Sequence, residues 1–367
     1  MNSKLSSGLA GIAVLTAAGL LVGCGAHPDG GDSATNAAGK GDKVTITNCG
    51  EQKTMAKPQR IMANDGNNIA IALAAGADQK LVATSSLKND RDLVAAKYGD
   101  RVNQIPEVTK EYPGLEQILG AKPDLYMAGW GYGFGEANNV TPDTLKSHGV
   151  ESYLLTESCR NSEKKESDSG KLGTGKSRGI EEPWQAVRDD LGNMGKLLGT
   201  EDQARKVIED QDARLGKLHG LPQPGKKPTG FIFDSAKDKV YTSGKFGAPQ
   251  AILESAGARN GTEGIADTWT DVSWEKIVES KPDFFVMVDN PSQTFEEKVQ
   301  LLKTNQATKD LPAVKEDRFI NLPYTMWVSG PFNIDAAEHV RKGLEMFGLV
   351  PHSDLHPQLQ VPHGKSA

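Results

Sequence analysis

The sequence predicts an α/β fold of two similar lobes, each with a mainly parallel sheet, joined by a long helical segment. The chain has 367 residues, more than the ~250–300 residues that one hydrophobic core usually serves. Short apolar runs bounded by turn signals alternate with helical patterns, as in parallel sheets covered by helices on both faces. A segment that begins at Gly114 recurs at Ser273, which indicates that the two lobes are related.

The internal repeat predicts the same local structure twice. The stretch GLEQILGAKPDLYMA aligns without gaps with SWEKIVESKPDFFVM, so that Glu116 matches Glu275 and Lys122 matches Lys281. Each copy predicts a short helix, a turn at the proline of a shared K-P-D triplet, and a buried strand.

The remaining apolar runs predict strands on both sides of the repeat. Because open parallel sheets bind ligands at the carboxyl ends of their strands, we expect the loops that follow these runs to line a cleft. The predicted strands are 60–63, 80–84, 124–128, 152–155, 230–233, 283–288 and 318–322, and the predicted helices include 68–75, 142–148 and 249–256.

Residues 181–220 are predicted to form the helical connection between an N-terminal lobe, 43–180, and a C-terminal lobe, 221–350. Thr200 and Gln203 have the spacing of a capping box, which predicts a helix break near Gly199. The preceding stretch 161–179 has no apolar face and is predicted to be a surface insertion. Its G-T-G-K-S run is not a phosphate loop, because no strand precedes it and the glycine spacing is wrong.

The chain begins with the pattern of an exported protein. Lys4 precedes an apolar run over 8–22, which predicts a signal peptide over 1–23. The run ends in Leu-Val-Gly-Cys, which resembles the lipobox of bacterial lipoproteins, so we expect Cys24 to carry lipid and to anchor the protein on the extracytoplasmic face of the cell membrane. An ordinary secretion signal is the alternative. Residues 24–42 are predicted to be a flexible tether, and 351–367 a flexible tail.

Two further cysteines, Cys49 and Cys159, are predicted to form a disulfide, because exported proteins meet an oxidising environment. The alternative is a pair of buried thiols. Neither a zinc site nor redox catalysis is indicated, since no C-x-x-C spacing is present.

Composition and motifs exclude several classes of function. A net charge of −6 argues against nucleic acid as a partner, and a mean hydropathy of −0.47 excludes a protein with many membrane spans. The sequence contains no G-x-S-x-G elbow, no H-E-x-x-H motif and no phosphate loop. Asp234 and Ser235 follow a predicted strand, but no histidine lies near them in sequence. We therefore predict a protein that is not an enzyme.

Taken together, the lipobox, the paired K-P-D segments and the helical connection resemble the class III substrate-binding proteins of ABC importers, over about 43–350. This resemblance implies two Rossmann-like lobes and a ligand such as a ferric siderophore, haem or cobalamin. The VTITNCG and VSWE stretches are similar to an actinobacterial lipoprotein subgroup, whose members are described as iron–siderophore binders or as importers of a deazaflavin precursor.

The resemblance also implies partners. In this family one surface glutamate on each lobe docks against arginines of a permease dimer that works with an ATPase, and Glu116 and Glu275 occupy those positions here. The alternative is two solvated glutamates on helix surfaces. We expect a monomer with no intrinsic cofactor, attached to the membrane only through its lipid.

The resemblance implies that the ligand is an iron chelate, and the aromatic side chains after predicted strand ends suit a flat or cyclic organic molecule. Haem held by Tyr132 or Tyr324, a corrinoid and a deazaflavin precursor are the alternatives. A bare-metal site is disfavoured, since none of the seven histidines follows a predicted strand. The predicted ligand-binding residues are Asn64, Trp130, Tyr132, Arg160, Lys245, Tyr324 and Trp327.

Overall fold

Two parallel sheets organise the chain in the computed structural model, which describes residues 42–88, 90–159 and 178–361. The predicted signal peptide, Cys24, all but the last residue of the predicted tether, and Arg160 lie outside the described residues. The strands are β1 Lys43–Asn48, β2 Glu51–Ala56, β3 Ile61–Asn64, β4 Leu81–Ser85, β5 Leu125–Trp130, β6 Gly133–Phe134, β7 Glu151–Leu154, β8 Thr229–Phe233, β9 Ser235–Ala236, β10 Val240–Ser243, β11 Arg259–Asn260, β12 Trp269–Val272, β13 Phe284–Asp289 and β14 Phe319–Pro323. The helices are α1 Gly66–Ala74, α2 Arg91–Tyr98, α3 Leu115–Ala121, α4 Pro142–Ser147, α5 Pro183–Leu198, α6 Glu201–Gly220, α7 Ala248–Ser255, α8 Trp274–Ser280, α9 Phe295–Thr304, α10 Pro312–Lys315 and α11 Asn333–Met346.

The two sheets have the same strand order. In the first, β4, β3, β5 and β7 lie side by side and parallel, with the short β6 added to β5. In the second, β11, β8, β13 and β14 lie side by side and parallel. We call the elements around the first sheet, β1–β7 with α1–α4, the N-terminal lobe, and those around the second, β8–β14 with α7–α11, the C-terminal lobe. The predicted α/β fold class is confirmed.

The repeated K-P-D triplet ends the helix and fixes the next strand in both lobes. Lys122 and Lys281 adopt left-handed backbone conformations with φ of 51° and 48°, and each is followed by a proline that cannot continue the helix. The carboxylate of Asp124 accepts a hydrogen bond from Gln59 N at 2.7 Å, and that of Asp283 accepts one from Thr229 N at 2.8 Å. The triplet therefore ties β5 to the residues just before β3 in the N-terminal lobe, and β13 to the start of β8 in the C-terminal lobe.

Each lobe also carries antiparallel strands that the apolar runs of the sequence do not predict. In the N-terminal lobe β1 and β2 form a hairpin, and Cys49 lies in its turn with φ of 51°. The sulfur atoms of Cys49 and Cys159 are at disulfide distance, and their Cα atoms are 5.3 Å apart. In the C-terminal lobe β12, β10 and β9 form a small antiparallel sheet.

The connection between the lobes consists of α5 and α6, which separate at Gly199 (φ 73°) as predicted. The predicted capping box is wrong. Thr200 Oγ1 donates a hydrogen bond to Ala75 O at 2.5 Å, and Gln203 Nε2 donates one to Ala74 O at 3.1 Å. Both side chains bind the carboxyl end of α1, because α6 packs against that helix.

A buried ionic network ties α6 to both lobes. The Arg214 guanidinium donates to Asp335 at 2.6 Å and to Glu338 at 2.8 and 2.9 Å, and both acceptors lie on α11. Lys97 of α2 contacts the same Asp335. The buried Asp335 carboxylate thus pairs with Arg214 of the connection and with Lys97 of the N-terminal lobe.

Packing across the lobes is continuous. One hydrophobic cluster includes Ile61 of the first sheet, Leu191 of α5 and Val286 of the second sheet, and all described residues belong to the single compact unit Lys40–Ala367. The lobe boundaries at 180 and 221 therefore stay predictions. No helix within the described residues has the length and apolarity needed to cross a membrane.

The described part of the predicted tail, 351–361, makes contacts with α11 and the core, and its flexibility stays a prediction. Arg341 donates a hydrogen bond to Pro351 O at 2.8 Å, and a ring nitrogen of His339 lies 2.8 Å from Leu359 O. Leu355 and Val361 pack against the main hydrophobic cluster. The prolines prevent a helix but allow an extended strap along α11.

Candidate ligand-binding cleft

A cavity of about 400 Å³ lies where loops from the carboxyl ends of strands in both lobes meet. This is the position at which open parallel sheets bind ligands, and the volume falls within the range of small-molecule sites. Its lining includes Ser86, Lys88, Lys110, Glu111, Tyr112 and Tyr132 from the N-terminal lobe, Arg178 from the segment before the connection, and Asp234, Tyr241, Trp269, Asn290, Ser292 and Tyr324 from the C-terminal lobe.

Aromatic side chains form much of the cavity wall. Tyr241 stacks on Trp269 with ring centroids 6.0 Å apart and an interplanar angle of 24°. Burial raises the pKa of Tyr112, Tyr132 and Tyr324 above the ordinary value. The phenols therefore stay protonated, and the wall offers neutral ring faces and hydroxyl groups.

Lys88 is held rigidly at the edge of the first sheet. Its Nζ lies 3.0 Å from Asp65 Oδ1 and 3.4 Å from the centroid of the Tyr324 ring in the opposite lobe. Lys88, Ser86 and Asp65 have φ values of 53°, 54° and 66°, a conformation that costs energy for residues other than glycine and is concentrated at functional sites. The turn thus presents an ammonium group with a fixed position to the cavity.

Arg178 joins the walls of the two lobes. Its guanidinium donates to Trp269 O at 2.6 Å and to Trp130 O at 3.4 Å, and it lies 3.6 Å from Asp267. The Asp267 carboxylate also accepts from Arg178 N at 3.1 Å. A second cation is therefore fixed beside the aromatic wall.

Side chains of the N-terminal lobe hold the C-terminal loop that carries Tyr324. The Glu157 carboxylate accepts hydrogen bonds from Ser329 N at 2.7 Å and Ala248 N at 3.1 Å. Asp90 accepts one from Thr325 N at 2.8 Å. Burial raises the pKa of Asp90 to about 7 and raises that of Glu157, so both carboxylates are poorly solvated groups that rely on these N–H donors.

Two of the predicted ligand-binding residues, Tyr132 and Tyr324, line the cavity. Trp130 and Trp327 do not line it, and their contact with a ligand stays a prediction. Trp130 ends β5 on the same face as Tyr126 and packs into the core of the N-terminal lobe, because alternate side chains of a strand share a face. Trp327 is fully buried in the main cluster, and its indole N–H donates to Leu322 O at 3.2 Å.

Asn64 and Lys245 also lie outside the cavity lining. Asn64 is fully buried and supports the wall from behind, since its Nδ2 donates to Tyr132 O at 3.2 Å and its Oδ1 accepts from Ser85 Oγ at 2.9 Å. Lys245 lies 3.5 Å from Glu181 and 4.8 Å from the ring centroid of Phe246. Its ammonium is held at the surface by these groups, not by the cleft.

Several lining residues were not among the predicted ligand-binding residues. Tyr112 lies in a long loop without a strand before it, where a single aromatic residue carries little signal. Lys88 follows β4, and its role depends on contacts with Asp65 and Tyr324 that are distant in sequence. Arg178 lies at the end of the stretch predicted to be a surface insertion. Apart from its position next to Gly179 and the helical connection, nothing in the sequence marks it as a ligand-binding residue.

The predicted docking glutamates occupy equivalent exposed positions. Glu116 and Glu275 lie in the first turns of α3 and α8, the two helices of the repeat. In the part of the chain that the structure describes, no group of three or more His, Cys, Asp or Glu side chains is arranged to hold a metal ion.

Comparison with known families identifies the class of protein. The family described as Periplasmic binding protein matches residues 61–325, a range that includes strands of both sheets and the connection. The chain belongs to this family. The ABC transporter substrate-binding lipoprotein YvrC of Bacillus subtilis (strain 168) is 24% identical over 337 residues, which cover 90% of this chain and 95% of YvrC. The resemblance inferred from the sequence is therefore confirmed.

Solved structures share the fold of this periplasmic binding protein. One from Saccharomonospora viridis, described as an ABC-type Fe3+-hydroxamate transport system, has a TM-score of 0.64 and 20% identity and covers 83% of this chain and 99% of its own. The haem-binding protein HutB of Vibrio cholerae has a TM-score of 0.56 and 17% identity and covers 78% of this chain and 99% of its own. Family and fold are those of ABC-type substrate-binding proteins and not of enzymes, as the sequence predicts.

Proposed function

We propose that this protein is the extracytoplasmic, lipid-anchored receptor of an ABC importer and that it captures a compact ferric siderophore or related iron chelate in the cleft. The aromatic wall with two fixed cations, Lys88 and Arg178, carries the proposal. Rings suit a flat or cyclic ligand, and fixed cations suit an anionic one. The Fe3+-hydroxamate description of the Saccharomonospora viridis relative supports the same class of ligand.

A chelate fits the cleft better than haem or a bare metal ion does. Haem iron held by Tyr132 or Tyr324 requires a tyrosinate, and burial raises the pKa of both phenols. A bare transition metal requires several converging imidazoles or carboxylates, and the lining residues provide no histidine. A chelate brings its own iron ligands and needs only shape and charge from the protein.

A metal-free deazaflavin precursor is the second candidate. The nearly parallel rings of Tyr241 and Trp269 offer a stacking surface for a flat heteroaromatic molecule. Such a ligand would use the same cleft and the same two cations.

Tryptophan fluorescence tests the proposal, because Trp269 lies in the cavity wall. The purified protein is titrated with a ferric trihydroxamate, a ferric catecholate, haemin, a corrinoid and a deazaflavin precursor. We expect saturable quenching by a ferric chelate, competition by its gallium(III) analogue, and loss of the signal in Trp269→Phe. Tight binding of haemin or of the deazaflavin precursor alone would assign the ligand to an alternative class.

We further propose that Glu116 and Glu275 dock the two lobes onto a permease dimer. Their matched positions in the first turns of α3 and α8 support this role, since bidentate carboxylate–guanidinium pairs are directional. Glu116→Ala with Glu275→Ala should abolish uptake by cells and leave ligand affinity unchanged. Glu279→Ala, an exposed glutamate on the same helix, is the matched control. Normal uptake by the double variant would refute the docking role.

A further inference from the structure

A buried carboxylate lies in the cavity wall that the C-terminal lobe provides. Asp234 directly follows β8 and is only 7% exposed, yet it lines the cavity. Its two carboxylate oxygens lie 3.5 and 3.4 Å from Asn290 Nδ2, farther than the ~2.9 Å of a typical N–H···O hydrogen bond. Ser235 supplies another hydrogen bond. A carboxylate has about four acceptor sites, so Asp234 retains capacity on the side of the cavity.

Two nearby lysines oppose the effect of burial on the pKa of the Asp234 carboxylate. Burial raises the pKa of Asp234, while Lys298 and then Lys88 act to lower it. Lys298 is fully buried, and its ammonium donates to Val288 O instead of forming a direct ion pair with Asp234. The carboxylate therefore has a cation behind it and the open cavity in front.

The neighbouring amide fixes the polarity of the site. Asn290 Oδ1 accepts hydrogen bonds from the backbone N–H of Ser292 at 3.1 Å and from its hydroxyl group. Asn290 therefore turns its Nδ2 toward Asp234, and this part of the wall presents acceptor oxygens to the cavity. Lys88 on the other lobe presents donors.

We propose that Asp234 is a specificity-determining residue that binds a cationic or hydrogen-bond-donating nitrogen of the ligand, while Lys88 binds its acceptor or anionic end. The proposal rests on the proposed function in taking this cleft as the ligand site, and it names the ligand as an amphoteric molecule. A purely anionic ligand would leave Asp234 facing a like charge in a poorly solvated site.

Small probes test this subsite independently of iron. Tyramine and N-acetyltyramine share a phenol and differ in whether the nitrogen is a cation, and their millimolar binding is measured by saturation-transfer NMR. We expect the wild-type protein to prefer tyramine by about tenfold, as for a hydrogen bond to a charged group. Asp234→Asn should abolish the preference. Asp238→Asn makes the same chemical change at an exposed carboxylate outside the cavity lining and should retain it.

Thermal melting checks that Asp234→Asn is folded. If that variant is unfolded, the pH dependence of binding by the wild-type protein is the test. The preference for tyramine should disappear as acid protonates the Asp234 carboxylate, while the binding of N-acetyltyramine should stay unchanged. Equal binding of the two probes by the wild type, no binding of either, or a preference that survives in Asp234→Asn would overturn the proposal.

A second pair of probes separates this proposal from the proposed function. A ferric trihydroxamate with a primary ammonium group is compared with its N-acetylated form by tryptophan quenching. If the wild-type protein prefers tyramine but binds neither chelate, the role proposed for Asp234 stands and the proposal of an iron chelate as ligand is refuted. The opposite result is that wild type and Asp234→Asn bind both chelates equally and show no preference between the amines. The proposal of a chelate as ligand would then stand, and the role proposed for Asp234 would be refuted.

Discussion

The two lobes share a strand order but bring opposite charges to the cleft. The N-terminal lobe contributes Lys88 after β4 and, farther along the chain, Lys110 and the exposed Glu111, and the C-terminal lobe contributes Asp234 after β8 and Asn290 after β13. The repeated K-P-D triplets keep the two sheets alike, whereas the loops at the strand ends have diverged. The fold therefore determines where a ligand lies, and the loops determine which ligand it is.

The lobes also differ in what is added to the sheet. The N-terminal lobe gains a hairpin whose Cys49 lies at disulfide distance from Cys159. The C-terminal lobe gains the small antiparallel sheet that places Tyr241 and Trp269 in the cleft wall. The first addition places two cysteines side by side, and the second forms part of the cavity wall.

The largest expected effect comes from breaking the network that joins both lobes to α6. Arg214→Met leaves Asp335 and Glu338 buried with one cation fewer, so the free energy of unfolding should fall by about 3–5 kcal/mol. Urea unfolding measures this. Arg188→Met removes a more exposed pair with Asp212 and should cost less than ~1 kcal/mol. Equal losses in the two variants would show that the network does not tie the lobes.

Removal of the cross-link should affect one lobe more than the other. We predict that Cys49 and Cys159 are bonded and that Cys159→Ser destabilises the protein by about 2–5 kcal/mol. Hydrogen exchange should speed up in β1, β2 and β7 before it does in the second sheet. Mass spectrometry of a non-reduced digest that finds both thiols free would contradict the prediction.

The cations of the N-terminal lobe should differ in their effect on binding. Lys88→Met removes an ammonium fixed by Asp65 and Tyr324, so affinity for the ligand that the quenching titration identifies should fall by about 10–100-fold. Lys110 lines the cavity with an exposed side chain, and Lys110→Met should cost less than about threefold. The two dissociation constants come from the quenching titration. Similar losses would mean that charge alone matters and its fixed position does not.

Sequence patterns identified the parts of the fold that depend on local periodicity. Apolar runs located the main parallel strands, and the repeat located their equivalent positions in the two lobes. The β1–β2 hairpin was missed because much of it is exposed and lacks a continuous apolar run. The small sheet of β9, β10 and β12 was missed because its strands are short.

The cleft was predictable in position but only partly in composition. Tyr132 and Tyr324 follow strand ends and line the cavity. Trp130 packs into the core because of strand alternation, and Trp327 is buried because the chain turns inward after Tyr324. Arg178 depends on the carbonyl groups of Trp130 and Trp269, contacts that no local pattern encodes.

The smallest predicted effect concerns the carboxylate that holds the Tyr324 loop. Burial raises the pKa of Asp90 from 3.8 to about 7, with Lys88 opposing and Asp65 and Asp289 reinforcing the shift. The folded state therefore keeps a proton that the unfolded state loses, so the contribution of Asp90 is fully present below pH ~4 and is lost as pH rises through about 7. Between pH 6 and 8 the loss should be about 1 kcal/mol.

Asp90→Asn should remove this step and make the free energy of unfolding flatter between pH 6 and 8. Asp190 on α5 is the matched control, because burial raises its pKa to about 7 as well, while its carboxylate accepts from Thr156 and Tyr153 and not from the Tyr324 loop. Asp190→Asn should flatten the stability curve to a similar extent without changing ligand affinity, whereas Asp90→Asn should also weaken binding. Unchanged binding in Asp90→Asn would show that the loop keeps Tyr324 in place without a charged acceptor from the other lobe.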